Sequence, residues 1–277
     1  MKYIIYILFF FPIWVTAQTY KYIGTENGLS NRRIFSIQKD AQGYMWFLTD
    51  EGMDRYNGKD IKHYKLNKND SALEAPIHLG WIYTRPHIGT WVIGKQGRIF
   101  QYESKYDDFK MVYKLPNSLE TISYGYMDNN DNIWLCRKHS ILLYNTENAR
   151  IIQFPNILYS NITAITQVDE RHFFIATETG VRYAKLENGE LEIIPVETLD
   201  YFHAQVSELY YHQASKRLFI GSFERGIFIY DMNSWEIIKP EADLSDVNIT
   251  CIFPLDESQL LISTEGMGVY KIDVDTC

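Results

Sequence analysis

Apolar positions along this chain come in short runs separated by polar turns, and the layout of the runs recurs. Between Gly28 and Tyr64 an apolar stretch with Ile34, Phe35 and Ile37 reaches an Asp40-Ala-Gln-Gly43 turn, and a second run follows with Met45, Trp46, Phe47 and Leu48. A third segment, Gly52 to Tyr56, and a fourth, Ile61 to Leu66, are split by Asn57-Gly58. Asn-Gly supplies the positive-φ residues that a two-residue hairpin needs, and the Asp…Gly pair does similar work one turn earlier. The stretch reads as one sheet of four antiparallel strands.

Aligned on Trp46, the layout returns at Trp91, Trp134, Phe174, Phe219 and Leu261, with steps of 45, 43, 40, 45 and 42 residues. Ahead of most anchors lies an apolar pair three residues apart: Ile34 and Ile37, Leu79 and Ile82, Ile162 and Ile165, Val206 and Leu209, Ile249 and Ile252. In the third copy Gly125 takes the second place, after Ile122. Four strands in a period of roughly 40 to 45 residues is what a β-propeller blade requires. Helical solenoids share the period, but the copies lack runs of 3.6-residue spacing. The expected fold is therefore all-β: a propeller of about six four-stranded blades, with repeats near 26–66, 76–115, 119–155, 159–195, 203–240 and 246–277.

Ahead of the repeats, Lys2 is followed by a mostly apolar run, Tyr3 to Val15, and by Val15-Thr16-Ala17. The run is short for the roughly 20 residues of a spanning helix, and the small residues suit signal peptidase. Residues 1–17 read as a secretory leader and 18–277 as a propeller outside the cytoplasm, in the periplasm. The formal charge of −8 gives no basic footprint for nucleic acid. Cys136 and Cys251 fall inside strands of different repeats and, with Cys277, cannot all pair, so they read as small core residues.

In an antiparallel meander the connections between blades share a face with the turn between second and third strands. Two of these connections, Asn67 to Pro76 and Val196 to Gln205, are long and polar. The candidate ligand-binding residues on that face are Arg32, Arg33, Asp50, Glu51, Lys95, Arg137, Lys138, His139, Phe223 and Arg225. Loop-rich rims of this kind are where propellers meet ligands. No catalytic residue, metal site or cofactor is indicated. The seven His show no His-x-x-x-His spacing, and Asp128-Asn-Asn130-Asp-Asn132 opens like a calcium loop but lacks its Gly and its closing Glu. In the repeat frame it is the turn between first and second strands. Paired carboxylates drawn from separate blades, as a glycosidase would use them, stay open.

The opening YKYIGTENGLSNRRIFSIQKDAQGYMWFLTDEGMDRYNGKDIKHY resembles the periplasmic sensor region of hybrid two-component regulators from gut Bacteroides. It carries Gly28-Leu29-Ser30, the Asp40…Gly43 turn, Trp46-Phe47 and Gly52 followed by Arg55-Tyr56. Later copies keep the frame but drift. The resemblance implies seven-bladed propellers, oligosaccharides from glycans as ligand, and a histidine kinase that this sequence does not show. As partner it implies a membrane-bound sensor kinase or another copy of the chain. A propeller lyase or glycosidase, and a propeller that docks a protein, are the alternatives.

One structural expectation concerns closure. The sixth repeat offers three strands, so Tyr20 to Thr25 is expected to pair beside Gly268 to Asp273 and close a six-bladed ring. The alternative is an incomplete seven-bladed arc.

Overall fold

The computed structural model describes residues 21–66, 79–116, 121–238, 240 and 244–275. The leader, the Asn67 to Pro76 connection, Tyr20 and Cys277 lie outside them. Blade 1 consists of β1 (Ile34–Lys39), β2 (Met45–Thr49), β3 (Gly52–Tyr56) and β4 (Ile61–Tyr64). Blade 2 consists of β5 (Leu79–Arg85), β6 (Gly89–Gly94), β7 (Arg98–Glu103) and β8 (Asp108–Lys114). Blade 3 has β9 (Tyr124–Met127), β10 (Asn132–Cys136), β11 (Ser140–Asn145) and β12 (Ile151–Pro155), and blade 4 has β13 (Ile162–Gln167), β14 (His172–Thr177), β15 (Gly180–Glu187) and β16 (Glu190–Ile194). A short helix α1 (Glu197–Asp200) leads to blade 5, which is β17 (Val206–His212), β18 (Arg217–Ser222), β19 (Ile227–Asp231) and β20 (Glu236–Ile238). Blade 6 has three strands, β21 (Ile249–Pro254), β22 (Gln259–Thr264) and β23 (Gly268–Asp273). Every sheet is an antiparallel meander in sequence order. The molecule is an all-β propeller of six blades.

The anchors explain the repeat. Trp46, Trp91, Trp134, Phe174 and Phe219 are all buried, and each packs against the next blade. Trp46 meets Ile82, Val92 and Phe100 of blade 2, and Phe219 meets Ile249, Ile252, Leu260 and Ile262 of blade 6. Five apolar clusters fill the five interfaces from blade 1 to blade 6. Burying such faces is the main favourable term in the fold.

Polar groups lock the turns. Asp40 accepts the Trp46 Nε1–H at 2.7 Å and the backbone N–H groups of Gln42 and Tyr44 at 3.0 and 2.9 Å. Asp128 repeats the device: it accepts Trp134 Nε1–H at 2.9 Å and the N–H groups of Asn130 and Asn132 at 2.9 and 2.8 Å. The calcium-like spacing at Asp128 is thus the turn between β9 and β10. The Gly-Leu-Ser of the first repeat is also structural. Ser30 donates its N–H and its Oγ–H to the buried Asp54, each at 2.8 Å, and His63 Nδ1 lies 2.8 Å from the other carboxylate oxygen. Glycine precedes β19 where the chain passes close: a Cβ on Gly226, at φ +71°, would stand 1.7 Å from the Leu244 carbonyl oxygen.

Three expectations are corrected. The closing strand does not form among the described residues. Lys21 instead donates to the Tyr56 hydroxyl and to the Gly58 carbonyl of blade 1, Tyr22 is exposed, and the chain then turns through Gly24 to Leu29. Among the described residues the ring is open between blades 6 and 1: Ile37 is 48% exposed where its counterparts Ile82, Ile165, Leu209 and Ile252 are buried, and Val269 of blade 6 is 66% exposed. Second, Val196 to Gln205 is not a solvated loop, because Val196, Leu199, Phe202 and Ala204 are buried with residues of blades 4 and 5. Phe202 meets Phe228 with ring centroids 5.1 Å apart. Third, Cys136 is a core residue but Cys251 is exposed, turned out by a register slip in β21.

Candidate functional site

The first strand of each blade faces the propeller axis, and five of the six carry the same irregularity. Register slips by one residue between Ile34 and Ser36, Leu79 and Trp81, Ile162 and Ala164, Val206 and Glu208, and Ile249 and Cys251. Such a bulge sets two residues against one and re-aims a side chain. It also explains the apolar pairs three apart: with one residue bulged out between them, Val206 and Leu209 are both buried, as are Ile162 with Ile165 and Ile249 with Ile252. Blade 3 pairs from Tyr124 to Met127 without a slip, and it is the copy in which the second apolar residue is Gly125.

The bulges build a central channel of about 1000 Å3. Consecutive residues, Phe35-Ser36, Ser207-Glu208 and Thr250-Cys251, line it together, which strict strand alternation forbids. Trp81, Tyr83, Tyr124 and Tyr126 form one wall in two tiers. Trp81 meets Tyr124 edge to face at 5.6 Å, and Tyr83 meets Tyr126 at 6.4 Å. Phe35, Phe223 and Phe253 add apolar surface, and Thr163, Thr166, Ser207, Thr250 and Ser263 add hydroxyls.

Glu208 is the one charged side chain among the described lining residues. Burial pushes its carboxyl up to about 7, opposed by the Leu209 N–H that it accepts at 3.2 Å. Its negative charge also acts on its neighbours. Burial first, with the Glu208 charge next for Tyr124 and Cys251 and after Tyr126 for Tyr83, holds the Tyr83 and Tyr124 hydroxyls well above their ordinary value and pushes the Cys251 thiol up to about 11.

Of the ten residues expected from sequence, only Phe223 lines this channel. Arg33 reaches its edge, with its guanidinium 4.9 Å from the Phe35 ring centre. Arg32, Asp50, Glu51, Lys95, Lys138 and His139 are exposed in the turns at that end of the blades, and Arg137 is half-buried. The turns are tied down by backbone: Asn156 donates its Nδ2–H to the Arg137 carbonyl at 2.8 Å and its N–H to the His139 carbonyl at 3.1 Å. Arg225 donates to the His203 carbonyl and lies over Phe228. The structure does not gather these side chains into one constellation. Glu208 and the aromatic wall were missed in sequence, and the spacing of three was the signal that the inner strands are bulged.

Fold and site define a β-propeller with a ligand-sized axial channel, and its first repeat is of a recorded kind: residues 28–51 match the family described as two component regulator propeller. No curated protein matches the chain in sequence. Among solved structures, the extracellular domain of the hybrid two component system BT3049 from B. thetaiotaomicron is similar with a TM-score of 0.71 at 19% identity. The likeness covers 92% of this chain and 35% of that one, so this chain spans about a third of its length. Virginiamycin B lyase from Staphylococcus aureus gives 0.69 at 18% identity over 89% of this chain and 82% of the enzyme. YCF48 bound to D1 peptide gives 0.68 at 9% identity over 89% of this chain and 81% of its own. At these identities the likenesses establish the propeller fold. Among the described residues no helix is long and apolar enough to cross a membrane.

Proposed function

We propose that this protein is a sensing propeller that works outside the cytoplasm, in the periplasm, and binds a glycan-derived oligosaccharide in its axial channel without transforming it. The observation that carries the reading is the channel wall. Sugar rings present apolar faces and a girdle of hydroxyls, and a wall of Trp and Tyr rings interleaved with Ser and Thr hydroxyls offers both complements. Hydrolysis by paired carboxylates takes two acids, whereas the described lining carries one. Arg32, Arg33, Asp50, Glu51, Lys95, Arg137, Lys138, His139 and Arg225 then serve as outer contacts for a chain that extends beyond the mouth. The likeness to a hybrid two component ectodomain and the matched repeat support a sensing role. The signal would pass to a membrane-bound sensor kinase or to another copy of this chain.

A second reading is favoured by one observation: a carboxyl with its value near 7 is poised as a general base, and a lyase shares the fold. Incubation with a panel of oligosaccharides separates the two. Sensing predicts saturable binding of a panel member that is recovered intact; new unsaturated sugars or reducing ends, lost in Glu208→Gln, would establish the enzyme instead.

A further inference from the structure

We infer that the channel seats an organic ammonium group, with the Glu208 carboxylate as its counter-ion and the rings of Trp81, Tyr83 and Tyr124 around it. The inference rests on the oligosaccharide reading for the body of the ligand, which becomes an oligosaccharide carrying an unacetylated amino sugar.

The channel wall carries one charge and no cation to answer it among the described residues. The Glu208 carboxylate accepts a single hydrogen bond, from the N–H of its own neighbour Leu209. Its charge falls on the hydroxyls of Tyr83 and Tyr124 and on the thiol of Cys251, so it sits between the aromatic wall of blades 2 and 3 and the inner strand of blade 6. Arg85, whose charge acts on Tyr83 and Tyr126, points instead to Asp131, 4.0 Å away, and to the Met127 carbonyl at 3.5 Å. An uncompensated carboxylate in such a place either keeps its proton or takes a cation. Aromatic faces decide in favour of an organic cation, because their quadrupoles attract a desolvated ammonium and their area excludes water from it.

The titration of the site is simple. The residues that line the channel with Glu208 from the other inner strands include Phe35 and Ile37 on β1, Trp81 and Tyr83 on β5, Tyr124 and Tyr126 on β9, Thr163 and Thr166 on β13, and Thr250 and Cys251 on β21. The tyrosines and the cysteine are all raised, so they stay neutral from pH 5 to 8. Among the groups that line the channel Glu208 alone changes charge in that range, so binding of a permanent cation such as choline weakens as pH falls from 7 to 5.

The test is calorimetric titration of the full chain with three probes: a glucosamine tetramer, an N-acetylglucosamine tetramer and choline. The expected result at pH 7 is binding of the glucosamine tetramer at least tenfold tighter than its acetylated counterpart. That preference should vanish in Glu208→Gln, which stays folded, and any binding of choline should weaken at pH 5. Equal affinity for the two tetramers, or a preference that survives Glu208→Gln, overturns the ammonium site and leaves the oligosaccharide reading standing. Glu208-dependent binding of choline without either tetramer upholds the ammonium site and overturns the oligosaccharide reading. No binding of any probe overturns the inference.

Discussion

Trimming Phe219 to Ala is expected to cost about 3 to 5 kcal/mol of stability, while trimming Leu261, its equivalent one blade later, costs about 1 kcal/mol. The two residues hold the same register in their sheets, opposite Tyr210 and Ile229 in one case and Phe253 and Lys271 in the other. They differ in whether another blade covers them. Phe219 is fully buried against blade 6 and would leave a cavity, whereas Leu261 faces the open side of the ring, where Phe253 is 55% exposed. Urea unfolding of both variants measures this. Equal costs would mean that the outer face of blade 6 is covered in solution.

The second large effect is pH-linked. Glu208→Gln is expected to match the wild type near pH 4 and to exceed its stability by roughly 2 to 3 kcal/mol at pH 8. The sign follows from proton binding. With its carboxyl raised from 4.5 to about 7, the folded protein holds a proton across that window and the unfolded chain does not. The penalty for burying the charge is absent below pH 4.5, grows through the window and is complete above 7. The full shift corresponds to about 3 kcal/mol, and the water that reaches the channel lowers it somewhat. Unfolding curves at pH 4, 6 and 8 check this, and parallel pH profiles for variant and wild type would show that Glu208 titrates normally.

Most of the blade architecture was legible because each repeat obeys local rules. Asp40 and Trp46 stand six residues apart since one hydrogen bond spans the first turn, and Asn57-Gly58 marks the outer hairpin. The loop there runs from Asn57 to Asp60 and Gly58 alone takes positive φ, so it is not the two-residue turn expected. Drift did not hide the frame, because Phe174 and Phe219 fill the space of Trp46 with another large apolar ring. The channel was less legible. Alternation assigns Ser207 and Glu208 to opposite faces, and only the bulge brings both to the axis, so the charged turn residues of the rim drew attention away from a wall made of Tyr, Trp and Thr. Val196 to Gln205 misled for a related reason: Leu199 falls inward on the single turn of α1 and Val196 and Phe202 on either side of it, a stretch below the length at which a periodicity can be read. Closure depended on a pairing between distant parts of the chain, and Lys21 found acceptors on blade 1 instead. That contact has no signature in sequence.

An oligosaccharide that fills the axial channel is expected to touch Phe223 and Phe35. Both line the channel, both are more than a third exposed, and neither is needed for the packing between blades. Calorimetric titration of the wild type, Phe223→Ala and Phe35→Ala with an oligosaccharide selected from a glycan panel is the decisive measurement. The expected outcome is saturable binding to the wild type, weakened tenfold or more in each variant while stability stays within about 0.5 kcal/mol of the wild type. Undiminished affinity in both variants, or no binding of any panel member to the wild type, would rule out the channel as the oligosaccharide site.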